Sequence, residues 1–256
     1  MNGTVKSAAR VLEVFEFFDR VQRPATVMEL SRGLKYPQSS TSVLLKSLVE
    51  LGYLEPSPED RRAYRPTARL TMLGAWVEPQ LAAGGPVLQL MTDLGAETGD
   101  LIILGIPQNG VVRYIHTVPA TKPMRLHNAP GTIRPMATSG LGRLFLSAME
   151  EDQVREVVER HNAAEEDATR RLSLAAVRRD MAAIRAQGYV VSMDRITPGA
   201  GVVAVLLPVT HAGLPLALGI GGWSKTIKDE SQAFVQLMRK GIRKHLGAAM
   251  KVRSVA

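Results

Sequence analysis

The 256-residue sequence predicts an α+β protein made of two units. Before residue 52, apolar residues recur at helical spacing in three short stretches. After residue 100, strand-like runs alternate with amphipathic helical patterns. The run Gly84-Gly85-Pro86 separates these two regions. We therefore expect an N-terminal helical unit over residues 1–76, a linker helix region over 77–99 and an α+β unit over 100–256.

The N-terminal unit begins with a predicted amphipathic helix over Val5–Asp19. A second helix follows, because Thr26 and Glu29 have the spacing of a capping box. We expect Gly33 to end that helix and Pro37 to lie near the start of the next one. This pattern is typical of a helix-turn-helix.

The third helix has an apolar side and a polar N-terminal end. The residues expected to be buried are Val43, Leu44, Ser47, Leu48 and Leu51. Short hydroxyl and amide side chains let a helix approach a DNA major groove, where they bind phosphates or base edges. The alternative is a serine-rich capped helix in any small bundle.

A predicted two-stranded wing follows, with a turn over Pro56–Asp60. Four arginines and no acidic residues lie between Arg61 and Arg69, as phosphate or minor-groove contact requires. A solvated charged loop is the alternative. The candidate DNA-contacting residues of the helix and wing are Lys35, Gln38, Ser39, Ser40, Thr41, Ser42, Lys46, Arg61, Arg62 and Arg65.

Composition restricts the class of protein. The net charge of +8 and the pI of about 10.0 favour an anionic partner, although the basic excess extends over both units. The absence of cysteine excludes disulfides and thiolate chemistry. We find no secretory signal and no apolar run long enough for a membrane span. We therefore expect a cytoplasmic protein without a membrane partner.

The C-terminal unit reads as an antiparallel sheet with helices. The predicted strands are Leu101–Ile106, Val111–Val118, Met124–Asn128, Val202–Val209 and Leu214–Ile220. Hairpin turns are expected at Gln108-Asn109-Gly110 and His211-Ala212-Gly213. The predicted helices are Pro86–Gly99, Glu150–Asn162, Ser173–Gln187 and Asp229–Leu246. The first of these helices is hydrophobic and adjoins the domain boundary, so we expect it to support a homodimer that reads two half-sites.

A series of motifs gives the chain a resemblance to a known family. In the N-terminal unit these are SAARVLEVFEFF, ATVMELSRGL and PQSSTSVLLKSLVELGYLE, followed by a wing that ends in Tyr64. The C-terminal motifs, in order, are ETGD at 97–100, Met124-Arg125, a Gly131 to Pro135 turn, ATSGLGR at 137–143, IRAQGY at 184–189 and Pro198-Gly199. Together they resemble the IclR family of transcriptional regulators over nearly the whole length.

The resemblance implies a winged helix-turn-helix joined to an effector-binding domain with a profilin- or GAF-like antiparallel sheet. It also implies double-stranded operator DNA as partner, a small-molecule effector, a dimer or dimer of dimers, and no cofactor. The effector would change the arrangement of the recognition helices through residues 77–99. The implied effector-binding residues are Met124, Leu126, His127, Gly140, Leu141, Ser192, Ala200, Val202, Gly219 and Gly221. Backbone N–H groups at Gly140 and Leu141 would receive a carboxylate.

Gly219 and Gly221 stand where hydroxyl residues are common in the family. Missing side chains would enlarge the pocket and make its wall less polar. We therefore expect an effector bulkier and more apolar than a two- or three-carbon keto acid, such as an aromatic acid or its derivative. The alternative is that these glycines only permit close strand packing.

Enzyme functions fit the sequence poorly. The segment Gly199–Ala204 matches a dinucleotide-binding fingerprint, but it leads into a strand instead of a helix. Ser139 lacks the G-x-S-x-G context of a nucleophile elbow, and the five histidines lack metal-ligand spacing. We therefore predict a regulator with no catalytic residues and no metal. A ligand-binding protein whose winged helix contacts other proteins is the second alternative.

Overall fold

The computed structural model describes residues 5–73, 81, 84–123 and 128–253. The chain divides into two compact units, Met1–Ala83 and Gly84–Ala256. Helices form the first unit together with a small sheet, whereas a large antiparallel sheet organises the second. The predicted α+β class is confirmed.

The first unit is a winged helix-turn-helix. Its elements are α1 (Lys6–Val21), β1 (Ala25–Thr26), α2 (Val27–Leu34), α3 (Gln38–Glu50), β2 (Leu54–Pro56), β3 (Ala63–Pro66) and α4 (Ala68–Leu73). The three strands form an antiparallel sheet in the order β1-β3-β2. The core comprises Val14, Phe17, Phe18, Ala25, Leu30, Leu45, Leu48 and Leu54.

The capping box at the start of α2 is confirmed. The Thr26 hydroxyl accepts a hydrogen bond from the Glu29 N–H, and the Thr26 N–H donates to the Glu29 carboxylate at 2.8 Å. The backbone bond from Thr26 and the side-chain bond from Arg23 lower the pKa of Glu29 to about 2. Thr26 also pairs with Ala63 across β1 and β3, so one residue joins the wing sheet to α2.

The expectation that Gly33 ends α2 is wrong. The helix continues to Leu34, and Lys35 takes the left-handed conformation with φ 58°. Gly33 serves packing instead, because a Cβ there would lie 2.4 Å from Cε2 of Phe17 on α1. The glycine allows the two helices to approach closely.

The buried side of α3 also differs from the prediction. Thr41, Leu45 and Leu48 face the core, at the spacing of one helix face. Val43 is 65% exposed and Leu51 is 58% exposed, and Ser47 is exposed as well. Thr41 can be buried because its hydroxyl donates to the Pro37 carbonyl at 3.0 Å, which satisfies the polar atom.

The second unit contains a six-stranded antiparallel sheet in the order β6-β5-β4-β9-β8-β7. Its elements are α5 (Pro86–Thr98), β4 (Leu101–Gln108), β5 (Val111–Val118), β6 (Ile133–Pro135), α6 (Gly140–Leu146), α7 (Glu151–Ala164), a 3₁₀ turn (Ala168–Arg170), α8 (Leu174–Gln187), β7 (Val190–Met193), β8 (Ala200–His211), β9 (Leu214–Trp223) and α9 (Ser224–Arg253). Residues 124–127 of the predicted strand Met124–Asn128 lie outside the described residues.

Both predicted hairpin turns are confirmed as two-residue turns. Asn109 and Gly110 have φ of 51° and 78°, and Ala212 and Gly213 have φ of 48° and 79°. Positive φ at both central positions matches the twist of antiparallel strands. These turns connect β4 to β5 and β8 to β9.

Helices cover both faces of the large sheet. Ile103 packs in the core formed with α6, α7 and α8, whereas Ile102 lies near α5 beside Gly95. Helix α5 also packs on α9, since the missing side chain of Gly241 leaves room for Leu90. Residues 86–98 of the expected linker region are therefore integrated into the second unit.

Candidate DNA-binding surface and ligand pocket

Helix α3 presents a polar face that nothing in its own unit covers. Gln38, Ser39 and Lys46 are exposed, and Ser40 and Ser42 are half-buried. The Ser40 hydroxyl donates to the Pro37 carbonyl at 3.0 Å. Among the described residues, the side chains of Gln38, Ser39, Ser42 and Lys46 have no hydrogen-bond partner, which leaves them available to an external one.

Thr41 has to be removed from the predicted DNA-contacting set. Its side chain is 1% exposed and faces the core of the unit. From that position it can support α3 but cannot reach a base or a phosphate.

The charge of α3 and the segment before it is of one sign up to Glu50, the last residue of the helix. Residues 30–49 contain the three basic residues Arg32, Lys35 and Lys46 and no acidic residue. Lys35 and Lys46 are exposed. A helix with this surface attracts a polyanion and repels a second copy of itself.

The wing presents two arginines at its tip. The Ser57 N–H donates to the Ala63 carbonyl at 2.8 Å, and Asp60 accepts from the Arg62 and Ala63 N–H groups at 2.9 and 2.8 Å. These bonds fix the loop between β2 and β3. The side chains of Arg61 and Arg62 are exposed, and within the described part of the chain neither forms an ion pair.

Arg65 differs from the other two wing arginines. Its guanidinium contacts the Glu55 carboxylate at 2.7 Å. Because its charge is already balanced, its attraction for phosphate is weaker than that of Arg61 or Arg62.

The second unit contains a pocket between the sheet and the start of α6. Every strand of the sheet contributes a lining residue, so the sheet curls around the pocket and brings its two edge strands together. The lining residues are Leu101, Ile103, Tyr114, Asn128, Arg134, Ser139, Gly140, Ser192, Arg195, Ile196, Thr197, Ala200, Gly201, Val202, Gly221 and Gly222. The space that a water-sized sphere can enter is about 60 Å³.

Two arginines from opposite edges of the sheet line this pocket. Arg134 on β6 donates to the Asn128 side chain at 2.5 Å and lies 5.9 Å from the centre of the Tyr114 ring. Burial raises the pKa of Tyr114 and outweighs the opposing effect of Arg134. Tyr114 therefore stays neutral and leaves the Arg134 charge unbalanced.

Arg195, which follows β7, shares a carboxylate with a second arginine. Asp180 lies 3.4 Å from Arg195 and 2.7 Å from the buried Arg143. Arg143 also donates to the Ala137 carbonyl at 2.6 Å. Burial lowers the pKa of Arg143, and the charge of Arg195 lowers it further. Two cations against one anion leave a positive potential at the pocket.

The structure brings together half of the effector-binding residues that the resemblance implied. Gly140, Ser192, Ala200, Val202 and Gly221 line the pocket. Leu141 is buried in the core and Gly219 lies behind the wall, so neither lines it. Met124, Leu126 and His127 lie outside the described residues.

The space beside Gly219 and Gly221 of β9 is already filled. A Cβ at Gly219 would lie 3.0 Å from Val202 Cγ2 and 3.3 Å from Leu141 Cδ1. A Cβ at Gly221 would lie 3.3 Å from Ile103 Cδ1. Close packing between neighbouring side chains therefore accounts for both glycines, which removes the reason to expect an enlarged pocket.

The N-terminus of α6 is a weaker anchor for an anion than expected. The helix has seven residues, and the Ser139 hydroxyl already accepts the Gly142 N–H at 3.2 Å. Gly140 has a packing role, because a Cβ there would lie 2.5 Å from Val202 Cγ1 and 2.9 Å from Ser192 Cβ. The arginines, which the sequence did not indicate, are the stronger anion anchors.

No group of histidine and acidic side chains within the described residues could hold a metal ion. In the same part of the chain, no helix is long and apolar enough to cross a membrane.

Two family models match the chain. The IclR helix-turn-helix domain matches residues 7–58, and the C-terminal domain of the bacterial transcriptional regulator IclR matches residues 86–244. The acetate operon repressor of Salmonella typhimurium is 25% identical over 232 residues, which cover 90% of this chain and 84% of the repressor. The regulator KdgR of Dickeya chrysanthemi is 23% identical over 247 residues, or 94% of this chain and 81% of KdgR.

Solved structures show the same fold. IclR of Thermotoga maritima superposes with a TM-score of 0.62 at 16% identity, covering 95% of this chain and 98% of that one. The IclR regulator of Alicyclobacillus acidocaldarius gives a TM-score of 0.57 at 21% identity, covering 97% and 99%.

Proposed function

The chain belongs to the IclR family of DNA-binding transcriptional regulators, and we propose that it controls a catabolic operon in response to a compact carboxylic acid. Two arginines that line one pocket carry the effector proposal: Arg134 has no carboxylate partner among the described residues, and Arg195 shares the single carboxylate of Asp180 with Arg143. We further propose that it acts in the cytoplasm as a homodimer or dimer of dimers. An effector that prefers one arrangement of the two recognition helices would then shift operator occupancy.

The proposed DNA interface combines α3 with the wing tip. Gln38, Ser39, Ser42 and Lys46 would enter the major groove, since their polar groups are unengaged. Arg61 and Arg62 would bind flanking phosphates. Arg65 contributes less, because Glu55 already binds it.

The wing is tested by salt dependence. Each phosphate contact adds about 0.9 to the slope of log affinity against log salt. The double variant Arg61→Gln, Arg62→Gln should therefore lower affinity for all sequences and reduce the slope by about 2. Arg65→Gln is the matched control and should change the slope less. A double variant with an unchanged slope would contradict phosphate contact by the wing.

Base reading by α3 is tested separately. Gln38→Ala should change which sequence the protein selects from a random DNA library, because an amide can read an adenine edge. A variant that selects the original site with uniformly lower affinity would show that Gln38 contacts only the backbone.

The effector proposal follows from the size and charge of the pocket. Its accessible space of about 60 Å³ is far below the roughly 300–1,000 Å³ typical of drug-sized ligands. Leu101, Ile103 and Val202 provide an apolar wall, while Arg134 and Arg195 provide the charge. A short carboxylic acid satisfies both conditions. Because Val202 and Leu141 already fill the space beside Gly219, that glycine gives no room for a bulky ring.

Calorimetry with pyruvate-type and benzoate-type acids tests the effector class. We expect binding of the compact acids, and Arg195→Gln should weaken it about 10- to 100-fold, the value of a charge-assisted hydrogen bond. Arg178→Gln is the matched control, because Arg178 pairs with Glu151 and does not line the pocket. Tight binding of benzoate alone, or full affinity in Arg195→Gln, would contradict the proposal.

A further inference from the structure

Val43 is the one exposed aliphatic residue of α3, and the polar DNA contacts proposed above give it no role. It lies near the middle of the helix and is 65% exposed, although valine is usually buried. Its side chain therefore exposes two methyl groups on the face proposed to meet DNA.

The residues next to Val43 are polar and mostly shorter, so its side chain is the apolar group that projects furthest from that face. Ser39 and Ser47 lie one turn away on either side, and Lys46 lies three residues on. The serine side chains are shorter than valine, so they do not shield it from an approaching surface. The Ser47 hydroxyl is turned back to the Val43 carbonyl at 3.1 Å, which reduces its polarity.

The surrounding charge indicates which kind of partner covers this residue. The basic, acid-free segment 30–49 would repel a second copy of the same face. A DNA duplex is a polyanion, and its major groove contains one apolar group, the C5-methyl of thymine. We propose that Val43 contacts a thymine methyl and thereby specifies a T·A base pair in each half-site.

This inference rests on the DNA-binding function and adds a specificity-determining residue to it. It also predicts that the middle of α3 recognises a thymine. Gln38 and the serines supply hydrogen bonds on either side, whereas Val43 supplies the only aliphatic contact among the exposed residues of α3.

The experiment begins with selection of a binding site by the full-length wild-type protein from a random duplex library. Each thymine of the selected site is then replaced by uracil, which lacks only the methyl group. At one position in each half-site, uracil should lower wild-type affinity about fourfold, the effect of burying one methyl-sized group.

Val43→Ser should bind thymine and uracil equally at that position, and Val43→Thr, which keeps one methyl, should retain part of the preference. Leu51→Ser is the matched control, because Leu51 is exposed at the end of α3. It should leave the discrimination unchanged. Equal melting temperatures of the variants would confirm that each one folds.

The possible contradictions are separable. If the protein selects a site but no thymine-to-uracil replacement affects wild type and Val43→Ser differently, the role of Val43 is overturned while DNA binding stands. A Val43→Ser variant with altered oligomeric state and unchanged discrimination would assign the residue to a protein interface. A wild-type protein that enriches no sequence would contradict sequence-specific binding itself.

Discussion

Gly142 offers a sharp test of how the pocket wall is held in place. A Cβ at this position would lie 2.1 Å from the Met136 carbonyl oxygen and 2.7 Å from its carbon. Backbone cannot rotate away as a flexible side chain can, so Gly142→Ala must displace α6 or the segment before it. Ser139 and Gly140, between the two, line the pocket.

The magnitude follows from two opposing effects. Alanine in a helix gains about 1 kcal/mol over glycine through propensity. Overpacking in a filled core costs typically about 1–3 kcal/mol and occasionally more. Because the clash involves backbone, we expect overpacking in the upper half of that range, and subtracting the propensity gain leaves a net loss of roughly 1–2 kcal/mol. For a unit of this size, that loss lowers the melting temperature by roughly 2–4 °C per kcal/mol.

Gly247 supplies the matched control. It lies in helix α9, and apart from its chain neighbours and the backbone of its own helix, no atom of the described residues lies within 4 Å of the position that its Cβ would occupy. Gly247→Ala should therefore raise the stability of the same unit by about 1 kcal/mol. Thermal denaturation of the full-length chain, followed by circular dichroism, measures both variants. A Gly142→Ala protein as stable as wild type, with unchanged acid binding, would refute the packing argument.

Three further outcomes follow from other contacts. Glu29→Gln should reduce the acid sensitivity of the first unit. The fold lowers the pKa of Glu29 from 4.5 to about 2, so the stabilisation from this carboxylate is complete above pH 4.5 and is lost as pH falls towards 2. Unfolding measured across that pH range tests the difference between variant and wild type. Gly33→Ala should lower the melting temperature of the first unit despite better helix propensity, because its Cβ would overlap the Phe17 ring; an increase would contradict the packing role. Asp93→Asn should destabilise the second unit at neutral pH, since Asp93 binds Lys244 at 2.7 Å and His245 at 2.9 Å. Those bonds lower the pKa of Asp93, so the difference from wild type should vanish once acid protonates it; a difference that persists in acid would contradict the charge argument.

Features encoded by neighbouring residues were predictable from the sequence. The capping box of Thr26 and Glu29 and the Asn109-Gly110 turn depend on interactions within a few residues, so their motifs identify them directly. In the second unit, the two long hairpins and helices α5, α7, α8 and α9 follow from periodicity for the same reason. The short elements β6, α6 and β7 were not predicted from periodicity.

The orientation of α3 was not predictable from apolar periodicity. Apolar residues occupy both 43–44 and 48–49, so two helix faces compete for the core. The choice depends on Thr41, which can be buried only because the Pro37 carbonyl accepts its hydroxyl. In this orientation Leu45 is buried and Val43 is exposed, an outcome that a hydrophobicity pattern alone does not indicate.

The charged residues of the pocket were missed for a different reason. Arg134 and Arg195 are distant in sequence and belong to opposite edges of the sheet. Only the curl of the sheet brings them to one cavity. The resemblance indicated the backbone and apolar positions of the wall. Arg134 lies within the Gly131 to Pro135 motif, but that motif did not assign it to the pocket.

Thr26 belongs both to the wing sheet and to the cap of α2, which limits how far the wing can move relative to the helices of the first unit. Because this residue pairs with the wing strand and begins α2, a rotation of the wing relative to the helices would break either the Ala63 pairing or the Glu29 cap. The distance between the side chains proposed to enter the groove and the arginines proposed to bind phosphate is consequently set inside one polypeptide. In the proposed homodimer, operators whose half-sites differ in centre-to-centre separation would then be accommodated only by changing the relation between subunits.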